Sequence, residues 1–185
     1  MRALLFGILL TLFATKGYCQ LSVEDQIAKA DAICAFNYNK KILFTITSHD
    51  ASEEYQNSKK EIKWYNYTNN IKMIYIYSNY ETFDQEAYFY FDRDNEPIRL
   101  DILEIKRNSS DMNDIKCFKY MFYLNNDYTI YAYRNEEQKI SINDFLEYST
   151  LMIDNTFDRV DLNKVPVDKV ADLIDVLKKY GLNVK

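Results

Sequence analysis

The side chains able to do covalent or acid–base work are few in kind. The chain of 185 residues has one histidine, His49, three cysteines, Cys19, Cys34 and Cys117, and 28 carboxylates. A single histidine excludes His-rich zinc sites, and a Cys/His pair would have to use Cys34 or Cys117 as nucleophile. His49 sits in a polar stretch and reads as a solvated residue. With three glycines in all, there is no phosphate loop, dinucleotide fingerprint or nucleophile elbow. Carboxylates are left as the chemical resource, and a hydrolase using acidic side chains is the alternative function they keep open.

The acidic groupings are weak as cation sites. Asp92-Arg93-Asp94-Asn95-Glu96 has a calcium-loop flavour, yet it lacks the central glycine and the distal glutamate, so it is read as a hairpin turn. Asp154, Asp158 and Asp161 are spaced so that a helix would bring at least the first two together, and read as solvated residues at a helix end. Glu81, Asp84 and Glu86 gather around a turn with no stronger signal. No metal or cofactor is expected.

The first residues define a compartment. Arg2 forms a basic start, Ala3 to Ala14 an apolar core, and Thr15 to Cys19 a short polar tail, which is the pattern of a secretory signal. Twelve such residues rise only about 18 Å as a helix, too short for a hydrocarbon core of about 30 Å. Cleavage is expected after Cys19, with a cut after Gly17 as the alternative, and Tyr18 before Cys19 argues against lipid attachment there. The expected organisation is a signal peptide over 1–19 and a single domain over 20–185, exported to a periplasmic or extracellular space, with no membrane span after signal cleavage.

Export gives Cys34 and Cys117 an oxidising surrounding, in which they form either one disulfide or two buried thiols that never meet. A bridge closing so long a loop would stabilise the fold by about 4 kcal/mol on the chain-entropy model. The formal net charge is −5, deepened when Arg2 and Lys16 leave with the signal. An acidic chain with no lysine or arginine cluster has no means of neutralising phosphates, so nucleic acid is excluded as a partner. The triplets Asn66-Tyr67-Thr68 and Asn108-Ser109-Ser110 match the N-glycosylation acceptor and count only in a eukaryotic host.

These residues need a scaffold, and the composition describes it. Seventeen Tyr and eleven Phe against three Gly and two Pro favour strands whose turns are made by Asn and Asp. Ser22 to Phe36 predicts a helix, with Ser22 as N-cap and Val23, Ile27, Ala30 and Cys34 on one side. Lys41 to Thr47 fits either an extension of that helix or a strand, and Ser48 to Lys60 reads as a polar connection. Six strands follow: Glu61 to Tyr67, Ile71 to Tyr77, Glu86 to Phe91, Ile98 to Lys106, Ile115 to Tyr123 and Tyr128 to Arg134. Short Asn/Asp links between them predict an antiparallel meander. Two helices close the chain, one capped by Ser141 and carrying Phe145, Tyr148, Met152 and Ile153, the other opened by Pro166 and carrying Val167, Val170, Ile174, Leu177 and Tyr180. The fold class is therefore α+β, a meander sheet of about six strands packed with an N-terminal helix and two C-terminal helices.

Tyr88-Phe89-Tyr90-Phe91-Asp92 and Phe122-Tyr123 give the middle of the chain a likeness of their own. It resembles small exported bacterial proteins with aromatic hairpins of the YYFD-turn type, whose functions are largely uncharacterised. The resemblance implies an exported hairpin protein and brings no catalytic residues with it.

The functional expectation is a non-enzymatic binding module for a protein, peptide or glycan, with an immunity-type inhibitor of a basic toxin as one form. Trp64, Tyr65, Tyr67, Tyr75 and Tyr77 are the candidate contact residues, because exposed aromatic rings offer large, rigid contact area. A structural envelope protein is the further alternative, and it would lack an exposed aromatic patch.

Overall fold

The computed structural model describes residues 21–50, 59–68, 70–80, 82–108, 111–140 and 165–179. The expected signal segment and the helix capped by Ser141 lie outside the described residues, as do Asp154, Asp158 and Asp161. The elements are helix α1 (Val23–Lys40), a 3-10 turn (Lys41–Leu43), strands β1 (Thr45–Asp50), β2 (Lys59–Tyr67), β3 (Asn70–Asn79), β4 (Phe83–Phe91), β5 (Pro97–Asn108), β6 (Asp111–Leu124) and β7 (Ile130–Ile140), and helix α2 (Val167–Lys179).

The strands form one sheet in the order β1-β2-β3-β4-β5-β6-β7, and each neighbouring pair is antiparallel. The meander is as expected, but it has seven strands rather than six. The additional one, β1, occupies the ambiguous run and its polar continuation. Lys41–Leu43 tightens into a single turn at the end of α1, and Thr45-Ile46-Thr47 then pairs with Trp64 to Asn66. β-Branched Thr and Ile tolerate an exposed edge strand, so polarity at Ser48 and His49 did not mark a connection. Of the two expected C-terminal helices, the described residues contain the one beginning at Val167.

Asparagine and aspartate make the hairpin turns. Asp92 accepts the backbone N–H of Asp94 at 2.8 Å and of Glu96 at 3.0 Å, and Asn95 takes a left-handed φ of 62°. The Asp92 carboxylate is thus spent on its own turn. Asp127 does the same for Thr129 in the β6–β7 turn, accepting its N–H at 3.0 Å and its hydroxyl at 2.6 Å.

The two helices cover opposite faces of the sheet. α2 sets Val170, Leu173, Val176 and Leu177 against Ile76, Phe89, Ile102 and Phe122. Burying each such side chain contributes about 1.5–3 kcal/mol of transfer free energy. α1 crosses the other face, with Ile27 and Ala30 on Met121, Tyr123 and Ala132, and Cys34 on Met73 and Tyr90. Ser22 caps it by accepting the Asp25 N–H at 3.1 Å. Asn37, near its other end, donates to the carbonyls of Lys72 at 3.1 Å and Phe91 at 3.3 Å, so the helix spans from β7 to β3.

Candidate functional site

Period-two alternation lays the face beneath α1 out as a grid. The first row reads Ile46, Tyr65, Met73, Tyr90, Arg99, Tyr123 and Ala132 from β1 to β7. In the second row Lys63, Tyr75, Tyr88 and Asp101 stand side by side, and in the third Glu61, Tyr77, Glu86 and Leu103. α1 lies on the first row, where Cys34 meets Met73 and Tyr90. Tyr75, Tyr77 and Glu86 in the rows beyond it are half-buried.

Tyrosine rings dominate this quarter of the sheet. Tyr75 and Tyr88 pack with centroids 4.8 Å apart, and Tyr38 from the end of α1 meets Tyr88 edge-on at 6.1 Å. Tyr88 donates its hydroxyl to Glu86 at 3.1 Å, and Tyr77 donates to Asp84 at 3.3 Å. Two cations already sit on the rings: the Lys41 ammonium is 3.9 Å from the Tyr38 centroid and that of Lys63 is 5.6 Å from Tyr75. Lys63 also pairs with Glu61 at 3.0 Å.

Burial pushes the phenols of Tyr65, Tyr75 and Tyr88 above the usual tyrosine range. They are neutral donors and acceptors at physiological pH, not tyrosinate nucleophiles. Burial also raises the Glu86 carboxyl, against the Tyr88 hydrogen bond and the Lys41 charge, which both lower it. The arrangement is suited to stacking, hydrogen bonding and holding a cation over a ring.

Three of the five aromatic candidates, Tyr65, Tyr75 and Tyr77, thus share one face. Trp64 does not join them: one residue along β2, it points to the opposite face and packs on the α2 core. Tyr67 lies at the end of β2 with its ring 6.0 Å from Phe44. Tyr38, Tyr88 and Glu86 complete the cluster and were not among the contact candidates. Alternation of Glu86, Tyr88 and Tyr90 along β4 carried a signal for two of them. Tyr38 had none, because the helix was expected to end at Phe36.

A second polar cluster lies under α1 in the same grid. Arg99 donates to Asp31 and to Asp101, each at 2.6 Å, and Tyr123 donates to Asp31 at 2.7 Å. Arg134 reaches Asp31 at 3.5 Å. The Arg99 guanidinium also lies 5.3 Å from the Tyr90 ring centroid. Arg99 and Asp101 are at most 1 % exposed, which closes them to a substrate. Burial raises the Asp101 carboxyl to about 6, with Arg99 opposing and Asp31 adding to the rise. This cluster fastens a helix to the sheet.

The disulfide expectation is corrected. Cys34 and Cys117 are both free and buried. Cys34 packs at the Tyr90–Arg99–Tyr123 row, whereas Cys117 is six residues farther along β6 with Leu103, Ile105 and Ile115. Six strand residues span about 20 Å, far beyond the 4.4–6.8 Å between α-carbons that a bridge allows.

Among the described residues no group of three or more His, Cys, Asp or Glu is placed to hold a metal ion, and no helix is long and apolar enough to cross a membrane. Comparison of the chain with protein-family models, curated proteins and solved structures finds no match.

Proposed function

We propose that the protein is an exported, non-enzymatic binding module that holds a basic protein or peptide against the tyrosine rows of its sheet. Its leader, residues 1–19, is removed on export to a periplasmic or extracellular space. The observation that carries the reading is the side-by-side placement of Tyr65, Tyr75 and Tyr77 with Tyr38 and Tyr88 on one half-buried face. Rings that already hold Lys41 and Lys63 can accept an incoming lysine or arginine in their place, and Glu61 and Glu86 supply the counter-charge. The net charge of −5 favours the approach of a basic partner.

The acidic-hydrolase alternative receives less support. Asp101, the carboxyl raised to about 6, is sealed beneath α1. The competing demand that Asp84 and Glu86 act as an acid–base pair conflicts with the donors they already hold, Tyr77 and Asn79 on one and Tyr88 on the other.

Titration calorimetry of the full chain with lysine-rich peptides and with neutral oligosaccharides tests the proposal. Binding to the peptides that weakens with salt and weakens further in Tyr75→Ala supports it. Binding to oligosaccharides alone moves the reading to a glycan module, and binding to neither overturns it.

A further inference from the structure

The two edges of the sheet are built differently. β7 ends one side with Arg134, Asn135, Glu136 and Glu137 in succession. Charges along an edge discourage pairing with another chain. β1 ends the other side with Thr45-Ile46-Thr47-Ser48-His49-Asp50, whose one carboxylate stands at its last residue and which holds no lysine, arginine or proline; Thr45 to His49 are exposed. Its outward backbone N–H and C=O groups meet no further strand among the described residues. Beside it stand the most exposed of the large apolar side chains among the described residues, Ile42 at 87 % and Leu43 at 64 %, with Ile46 itself at 51 %.

We infer that β1 is a self-association edge, pairing antiparallel with β1 of a second copy of this chain to give one continuous sheet. A second copy is favoured over a foreign strand by the sequence of the edge. Thr45-Ile46-Thr47 reads the same in both directions about Ile46, so a two-fold axis there sets Ile46 against Ile46 and each Thr45 against a Thr47. Aliphatic and Thr–Thr cross-strand pairs are favourable, and no like charges meet. The axis runs perpendicular to the sheet, as a closed isologous dimer requires, and therefore keeps the same face upward in both copies. In that register the 3-10 turn with Leu43 and Ile42 lies alongside His49 and Asp50 at the end of the other copy's strand.

This pairing is independent of the binding reading and extends its reach. Tyr75 stands on β3, two strands from the edge and level with Ser48, so the two copies of Tyr75 lie on one surface about 24 Å apart across the strands and about 14 Å along them, roughly 28 Å in all. A partner with two basic patches at that separation gains from simultaneous engagement.

Sedimentation velocity over a wide concentration range, on the full chain as processed by the cells that express it, tests the inference. The expected result is a monomer–dimer equilibrium that Ile46→Lys shifts to monomer, while Asn135→Lys on the β7 edge leaves it unchanged and circular dichroism is the same for all three. Ile46→Cys places two thiols across the axis and yields a disulfide-linked dimer under mild oxidant, which the wild-type chain does not. A chain that is monomeric throughout overturns the inference. So does a dimer that survives Ile46→Lys, or a monomer whose β1 is occupied by a foreign peptide.

Discussion

Arg99 and Glu104 leave β5 on opposite faces of the sheet, and each fastens a helix: Arg99 binds Asp31 of α1 at 2.6 Å, and Glu104 accepts Lys169 of α2. β5 is thus the strand through which both helices are registered. Two charged pairs in a largely apolar interior are costly to desolvate and costly to break.

Removing one partner should reveal that cost. Asp31→Ala leaves Arg99 with Asp101, takes the acceptor from the Tyr123 hydroxyl and removes the Asp31 charge beside Arg134. A loss of about 1–3 kcal/mol in urea unfolding is expected, the range for a buried donor left unmet, because Arg99 keeps Asp101. The triple variant Asp31→Leu, Arg99→Met, Asp101→Leu should recover part of it, since the charges leave together. Equal losses in the single and triple variants would show that α1 is held by its apolar contacts instead.

The same cluster predicts a pH dependence. The Asp101 carboxyl lies at about 6 in the fold, against about 3.9 in an unfolded chain. The folded state therefore keeps a proton that the unfolded state has released, so this contribution to stability is full below about pH 4 and is lost as pH rises through 6. The charged and titratable groups facing it are Arg99, Asp31, Tyr90 and Cys34. Asp101→Asn should remove the term, so the stability difference between wild type and variant should change between pH 4 and 6.5 by at most ~3 kcal/mol, in the direction that favours wild type at the acid end. A difference that stays flat across that window would show Asp101 titrating normally.

The sheet was legible because it obeys a simple rule: aromatic and β-branched runs broken by Asn and Asp. Asn95 and Asp127 make their turns as composition required. β1 was hidden because Thr, Ser and His fit an edge strand and a loop equally well. The charged residues of β5 were invisible as a site for another reason. Over Arg99–Ile105 both faces of β5 are buried, so Arg99 and Asp101 fall in phase with Leu103 and Ile105, and only the crossing of α1 brings Asp31 to them. Likewise Trp64 and Tyr65 looked equivalent in sequence, but adjacent strand residues must face opposite ways, and only pairing to β3 decides which joins the tyrosines.

Both cysteines should be inert in the folded protein. Burial pushes the Cys34 thiol well up, and that of Cys117 to about 11, so neither holds an appreciable thiolate fraction at neutral pH. Peptide mass mapping after iodoacetamide should find Cys34 and Cys117 unmodified in native buffer and both modified in concentrated urea without any reductant. A peptide pair linked through them before reduction would contradict the separation along β6.

Tyr75 separates binding from folding. Its ring rests on Tyr88 at 4.8 Å and under Lys63, whereas its hydroxyl makes no hydrogen bond among the described residues. Tyr75→Phe keeps the ring and its attraction for a cation, and should change stability by less than about 1 kcal/mol. Tyr75→Ala removes a half-buried ring and should cost about 2–3 kcal/mol, still leaving a folded chain. If the tyrosine rows hold lysine side chains, affinity for lysine-rich peptides should survive in Tyr75→Phe and fall about five- to thirtyfold in Tyr75→Ala, the loss of one cation–π contact of ~1–2 kcal/mol. Equal affinity in all three proteins would mean that Tyr75 serves packing alone, and the binding surface would have to be sought elsewhere on the chain.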